Sequence, residues 1–143
     1  MAITSAVCTS FKVELLKGVH NFTATTGNTF NIALYTSDAS LGAGTTAYTT
    51  SNEVSGTGYT AKGNALTSQT PVLSTDTAVC DFSDVSWTSA SFTANGCLIF
   101  NDSATGDPAV CAIAFGSDKT VTSGTFTIQF PPAAASNAIV RIA

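Results

Sequence analysis

The six residues Thr125 to Phe130, TFTIQF, place Phe126, Ile128 and Phe130 at every second position, with Thr125, Thr127 and Gln129 between them. Successive side chains of a strand point to opposite faces, so this alternation predicts a strand with one face in a core and one in water. The same period of two runs through TFNIALYT, where Phe30, Ile32 and Leu34 share a face. In SFTANGCLIFN the shared set is Phe92, Ala94, Leu98 and Phe100. AVCAIAF, residues 109–115, is apolar on both faces and reads as a central strand, and NAIVRI near the carboxyl end reads as a closing strand. In VCDFSDVSW the step of three from Phe82 to Val85 moves the apolar set to the other face, as a bulge or a bend does.

Between these runs lie TSDASLGAG, DSATGDP and GSDKTVTSG, rich in Asp, Gly and Ser, which make turns through side-chain hydrogen bonds or positive φ. Two prolines in PPAAASNA are placed to stop the strand before them. Strands spaced by turn signals in this way predict an all-β domain, a two-sheet sandwich of jelly-roll-like form.

One segment departs from the period of two. Val7, Phe11 and Leu15 recur every four residues, flanked by Cys8 and Leu16, with Thr4 or Ser5 as candidate cap and Gly18 placed to end the run. This predicts one short N-terminal helix over about 5–17. A helix of about three turns does not persist alone in water. Its apolar face must cover the domain's own sheet or dock on a partner.

The 143 residues form one expected domain, 1–143, large enough to bury about 70% of the unfolded surface. Only 10% of the chain is charged, yet it holds 24 Thr and 16 Ser, so its polar surface is built from hydroxyls rather than ions. Such a surface suits a protein that neighbours cover. The net charge is −4 and the cations are Lys12, Lys17, Lys62, Lys119 and Arg141, too few to neutralise a run of phosphates. Direct nucleic-acid binding is therefore not expected. MAITSAVCTSFKVELLKG combines Lys12, Glu14 and Lys17 with its apolar residues, which fits neither a signal peptide nor a membrane span. Synthesis in a cytosol and no membrane partner are the expectations.

The chain offers little for catalysis. His20, the single histidine, lies in KGVHNF with no serine or cysteine motif around it. Asp76, Asp81, Asp84, Asp102, Asp107 and Asp118 lie in or beside turns, where each has a structural reason to be. Asn21-Phe-Thr and Asn101-Asp-Ser match the glycosylation triplet but read as chance without a secretory signal. Cys8, Cys80, Cys97 and Cys111 form no Cys-x-x-Cys pair and have one histidine to help, so zinc is not expected. Buried free thiols are the primary reading, with a Cys97–Cys111 bridge in an oxidising medium as the alternative. No catalytic, cofactor or metal residues are assigned, and the chain is read as not an enzyme.

EVSGTGYTAKG, residues 53–63, invites a phosphate-loop reading and fails it, because Lys62 precedes Gly63 and no helical pattern follows. It reads instead as a turn shaped by Gly56 and Gly58, anchored by Val54 and Tyr59. Aromatic residues can anchor interfaces. With the helix stripe, the interface candidates are Phe11, Leu15, Tyr48, Tyr59 and Trp87.

The segments MAITSAVCTSFKVELLKGVHNF, FNIALYTSDASLGAGTTAYTTSNEVSGTGYTAKG, FTANGCLIFND and FGSDKTVTSGTFTIQFP together span most of the chain. In them the sequence resembles small β-rich virion structural proteins of tailed bacteriophages, including capsid cement or decoration proteins. The resemblance implies a non-enzymatic protein without cofactor, assembled in the bacterial host cytoplasm into the virion. Its implied partner is the major capsid protein, whose subunits it would hold together. A homo-oligomer is expected, trimer first and dimer second. The alternatives are a tail, neck or baseplate component, or a carbohydrate-binding adhesion module using Tyr48, Tyr59 or Trp87.

Overall fold

Phe30, Ile32 and Leu34 are fully buried, as the alternation predicts, and so are Ala33 and Tyr35 between them. Their strand therefore has both faces covered. In the computed structural model, which describes residues 2–134 and 136–143, the elements are β1 (Ala6–Val7), α1 (Thr9–Leu16), β2 (Phe30–Tyr35), β3 (Asn64–Ala65), β4 (Ser68–Ser74), β5 (Thr77–Phe82), β6 (Val85–Asn101), β7 (Ala109–Ile128) and β8 (Val140–Ile142). They form an all-β fold of two antiparallel sheets with one short helix. The larger sheet has the order β1-β7-β6-β2-β3 and the smaller β4-β5-β8.

The core lies where the sheets meet. Phe22 and Phe30 stack at 4.3 Å between ring centroids, and both reach Phe82 of the smaller sheet, at 6.2 and 5.8 Å. Rings in such offset and tilted contact add about 0.5–1.5 kcal/mol per pair beyond their buried area. The change of face between Phe82 and Val85 is the corner where the chain passes from one sheet to the other, since β5 ends and β6 begins there. Ser83 and Asp84 turn it, and Asp84 Oδ1 accepts the Phe130 N–H at 2.8 Å.

GSDKTVTSG is not a connection. Residues 116–124 lie inside β7, paired with β6 through Ala94↔Lys119, Thr93↔Thr120, Phe92↔Val121 and Ala90↔Gly124. The turn-forming residues are absorbed as irregularities of register, with Gly116 at φ 84° and Ser89 and Ser123 at φ 48° and 46°. AVCAIAF is the start of this strand, and among the described residues its only strand neighbour on the far side is the two-residue β1 at Cys111 and Ala112. It is central there and an edge beyond. β7 stops at Ile128, two residues before the expected end at Phe130.

The helix is shorter than the expected 5–17. Ala6 and Val7 pair with Ala112 and Cys111 as a strand, so helical geometry begins after Cys8, which caps without a side-chain hydrogen bond. Thr4 and Ser5 are thereby removed from the cap; Ser5 Oγ instead accepts the Ala114 N–H. The other end follows expectation. Gly18 takes φ 72° and donates to Leu15 O at 3.1 Å, while Val19 donates to Glu14 O at 3.0 Å, the paired closure of a Schellman motif.

Candidate interaction surface

Three polar centres organise the loops. The first is Glu53, whose carboxylate accepts Tyr48 Oη at 2.5 Å, Tyr59 Oη at 2.7 Å and the Lys62 N–H at 2.8 Å. Tyr59 Oη also accepts the Leu34 N–H at 2.9 Å, which ties the loop to β2. Burial, reinforced by hydrogen bonding to Glu53, pushes the Tyr48 phenol up to about 12 and drives that of Tyr59 further in the same direction. Both stay protonated and donate to the carboxylate. The glycines allow the approach: a Cβ on Gly63 would lie 1.8 Å from Ile32 O, and one on Gly56 would lie 2.6 Å from Ser91 O.

The second centre is Lys62, at φ 73°, whose Nζ lies 2.8 Å from both Asp102 Oδ1 and Asp107 Oδ2. Hydrogen bonds to Asp102, then Asp107, raise its pKa. The lysine of the failed phosphate-loop pattern therefore clamps the β6–β7 connection.

The third is Asn101, fully buried at the end of β6. Its Oδ1 accepts the N–H groups of Ser103 and Ala104 at 3.0 and 3.2 Å, which fixes the amide's orientation. Its Nδ2 then faces Asn28 Oδ1 at 3.0 Å and His20 Nδ1 at 3.2 Å. An amide nitrogen only donates, so His20 Nδ1 accepts and its proton sits on Nε2, 3.1 Å from Glu14 Oε1. The imidazole, enclosed by Phe11, Phe22 and Phe30, ties helix to sheet.

The cysteines are free and buried. Burial raises all four thiols, Cys8 to about 11 and Cys80 and Cys97 to about 12, so they stay protonated and unreactive. Among the described residues no group of three or more His, Cys, Asp or Glu is arranged to hold a metal ion.

The interface candidates fall into two places. Tyr48, Tyr59 and Trp87 pack along β6, Tyr48 at its loop end and Tyr59 and Trp87 at its far end. Tyr48 stacks on Phe100 at 4.8 Å, and Tyr59 packs on Trp87 at 6.3 Å and Phe92 at 5.8 Å. Trp87 is 3% exposed, with its indole N–H lacking a partner among the described residues. These rings hold the molecule's own loops. Phe11 is 1% exposed, and Leu15 is partly buried against the core.

Beside Phe11 and Leu15 lies a surface that the candidate set did not include. Leu16 is 91% exposed and Val13 54%, while Leu73 and Val72 of β4 and Ile142 of β8 are exposed by 73, 57 and 55%. All five belong to α1 or the smaller sheet, and Leu73, Ala78 and Ile142 form one rung of it. A groove of about 790 Å³ runs between α1 and β8, lined by Phe11, Leu15, Leu16, Val140 and Ile142 among others. A smaller, almost wholly apolar recess of about 170 Å³ continues from it between α1 and β5. The sequence signal was Leu16 at the flank of the Phe11–Leu15 stripe, about 100° round the helix from Leu15.

No described helix is long and apolar enough to cross a membrane. No family model, curated protein or solved structure matches the chain.

Proposed function

We propose that this chain is a non-enzymatic structural protein of a tailed-phage virion, a cement or decoration protein that lies between major capsid subunits and strengthens the head. The observation that carries the reading is the cluster of five exposed large apolar side chains on α1 and the smaller sheet. Of these, Leu16 and Ile142 line one groove, and exposed apolar surface of this kind marks contact with another macromolecule. The rest of the surface suits the same role. The outer face of β6 and β7 is lined with Ser86, Thr88, Thr93, Thr120, Thr125 and Thr127, all exposed. Hydroxyls can meet a partner without the desolvation cost of burying charge. The resemblance of the quoted segments to phage virion proteins gives the partner's class. Repetition over a shell multiplies a modest contact into a large stabilisation.

The adhesion alternative is weakened by the inward packing of Tyr59 and Trp87. A homotrimer about a local axis of the shell remains the expected oligomer. The test is stoichiometry and strength: purified particles should carry the protein in proportion to capsid subunits, and filled heads lacking it should break at lower temperature. A few copies per particle would instead favour the tail, neck or baseplate, and unchanged breakage would overturn the cement role.

A further inference from the structure

We infer that the groove between α1 and β8 receives an extended segment of another protein, apolar at alternate positions and flanked by carboxylates, which adds as a strand to β8. The inference rests on the structural role proposed above and names the chemistry of the partner. The geometry of the groove sets the form of the occupant. β8 is the last strand of its sheet, so its outer backbone edge has no strand neighbour among the described residues. Residues of β8 form one wall of the groove and residues of α1 the other. An open edge beside an apolar trough is the arrangement that strand addition uses, main-chain hydrogen bonds supplying affinity and pockets for alternate side chains supplying selection. Val140 and Ile142 lie two apart on β8, and the apolar side chains of an added strand would pack beside them against Phe11 and Leu15.

Charge selects the partner. Lys12 lines the groove, and Lys17 follows Leu16 at the end of α1. Lys12 and Lys17 make no ion pair among the described residues. Of the nine carboxylates, only Glu14 lies on α1, where it is engaged by His20, and Asp76 lies in the turn between β4 and β5. The chain as a whole is acidic, so this is a local reversal of sign. A two-fold pairing of this surface with its copy would bring these cations together, which like-charge repulsion disfavours. An acidic segment from a different surface meets complementary charge.

The test uses the full chain and two fluorescein-labelled peptides with alternating valine and threonine, one ending in aspartates and one in lysines. Fluorescence anisotropy should show binding of the aspartate peptide and at least about tenfold weaker binding of the lysine peptide. Leu16→Asp and Ile142→Asp, both at exposed positions, should each weaken the aspartate peptide by about tenfold with an unchanged melting temperature. Lys12→Glu with Lys17→Glu should reverse the preference. Equal binding of the two peptides, no binding of either, or self-association abolished by Leu16→Asp would overturn the inference. If the aspartate peptide binds as described but heads break unchanged without the protein, the docking surface stands and the cement role falls. If neither peptide binds while heads weaken without the protein, the reverse holds.

Discussion

The two ends of the β6–β7 hairpin share one antiparallel ladder and live in opposite surroundings. At the loop end, Gly96 to Asn101 of β6 and Ala109 to Ala112 of β7 are buried without a break. At the far end, Trp87, Ala90, Phe92 and Ala94 are buried while Ser86, Thr88 and Thr93 between them are exposed. The loop end has β2 on one side and β1 on the other, and among the described residues the far end of β7 has no third strand beside it. Burial on both faces therefore comes from what lies beside and above the hairpin, not from the hairpin itself. The far end keeps a polar face, and cross-strand pairs such as Ser86–Thr127 at 2.8 Å, Thr93–Thr120 at 2.9 Å and Asn95–Asp118 at 2.9 Å bridge it.

The sharpest way to break this contrast is to remove a ring from each end. Phe100→Ala should cost about 3–5 kcal/mol in chemical denaturation, because the site is closed on every side and cannot collapse. Phe126→Ala should cost about half as much, since its ring is partly exposed. Equal losses would mean that the far end is as tightly supported as the loop end. Next in size is Asn101→Ala. It strands the Ser103 and Ala104 N–H groups together with His20 Nδ1, and should cost about 3 kcal/mol by the same measurement.

Alkaline pH tests the buried acids of both ends without mutation. Cys97 and Cys111 lie at the loop end, Tyr48 stacks on Phe100 there, and each has a pKa raised above its ordinary value by burial. A raised pKa means that the folded chain holds its proton more tightly than the unfolded chain does. Stability from these groups is therefore complete below about pH 9 and falls as pH rises toward 12. A melting temperature that is flat to about pH 9 and then declines is expected. The smallest effect belongs to the hydroxyl ladder. Thr93→Val with Thr120→Val should change stability by less than about 0.5 kcal/mol, because exposed hydroxyls regain water when unpaired. A larger loss would show that the ladder is structural.

The same contrast explains what could be read beforehand. Alternation found β2 and the far end of β7, although only the far end of β7 is half-buried; in β2 the intervening Ala33 and Tyr35 are buried as well. It also marked the Phe82 to Val85 corner. It could not join AVCAIAF to TFTIQF, because Gly116, Ser123 and Gly124 look the same in a bulged strand as in a turn. The expected helix began too early because Val7 keeps the spacing of Phe11 and Leu15 while its backbone pairs with Cys111. Tyr48, Tyr59 and Trp87 are the right residues for anchoring, but what they anchor is the chain itself. The aromatic-loop signal does not distinguish a partner from a neighbouring loop, since both bury the same ring. Leu16 was visible as the flank of the helical stripe, and the structure leaves it 91% exposed beside the groove.

The four unpaired thiols have a consequence in an oxidising medium. While the core stays closed they are inaccessible, and in reducing surroundings an occasional opening does no harm. In air, every opening offers sulfur atoms to one another and to other chains, and a wrong disulfide formed at that moment prevents return. The durability of the protein then depends on how rarely it opens rather than on where its folding equilibrium lies. A partner lying across α1 and β8 would slow that opening by holding shut the side of the core to which Cys80, between Val79 and Asp81, is nearest. Shelf life, rather than affinity, is where its absence would first be felt.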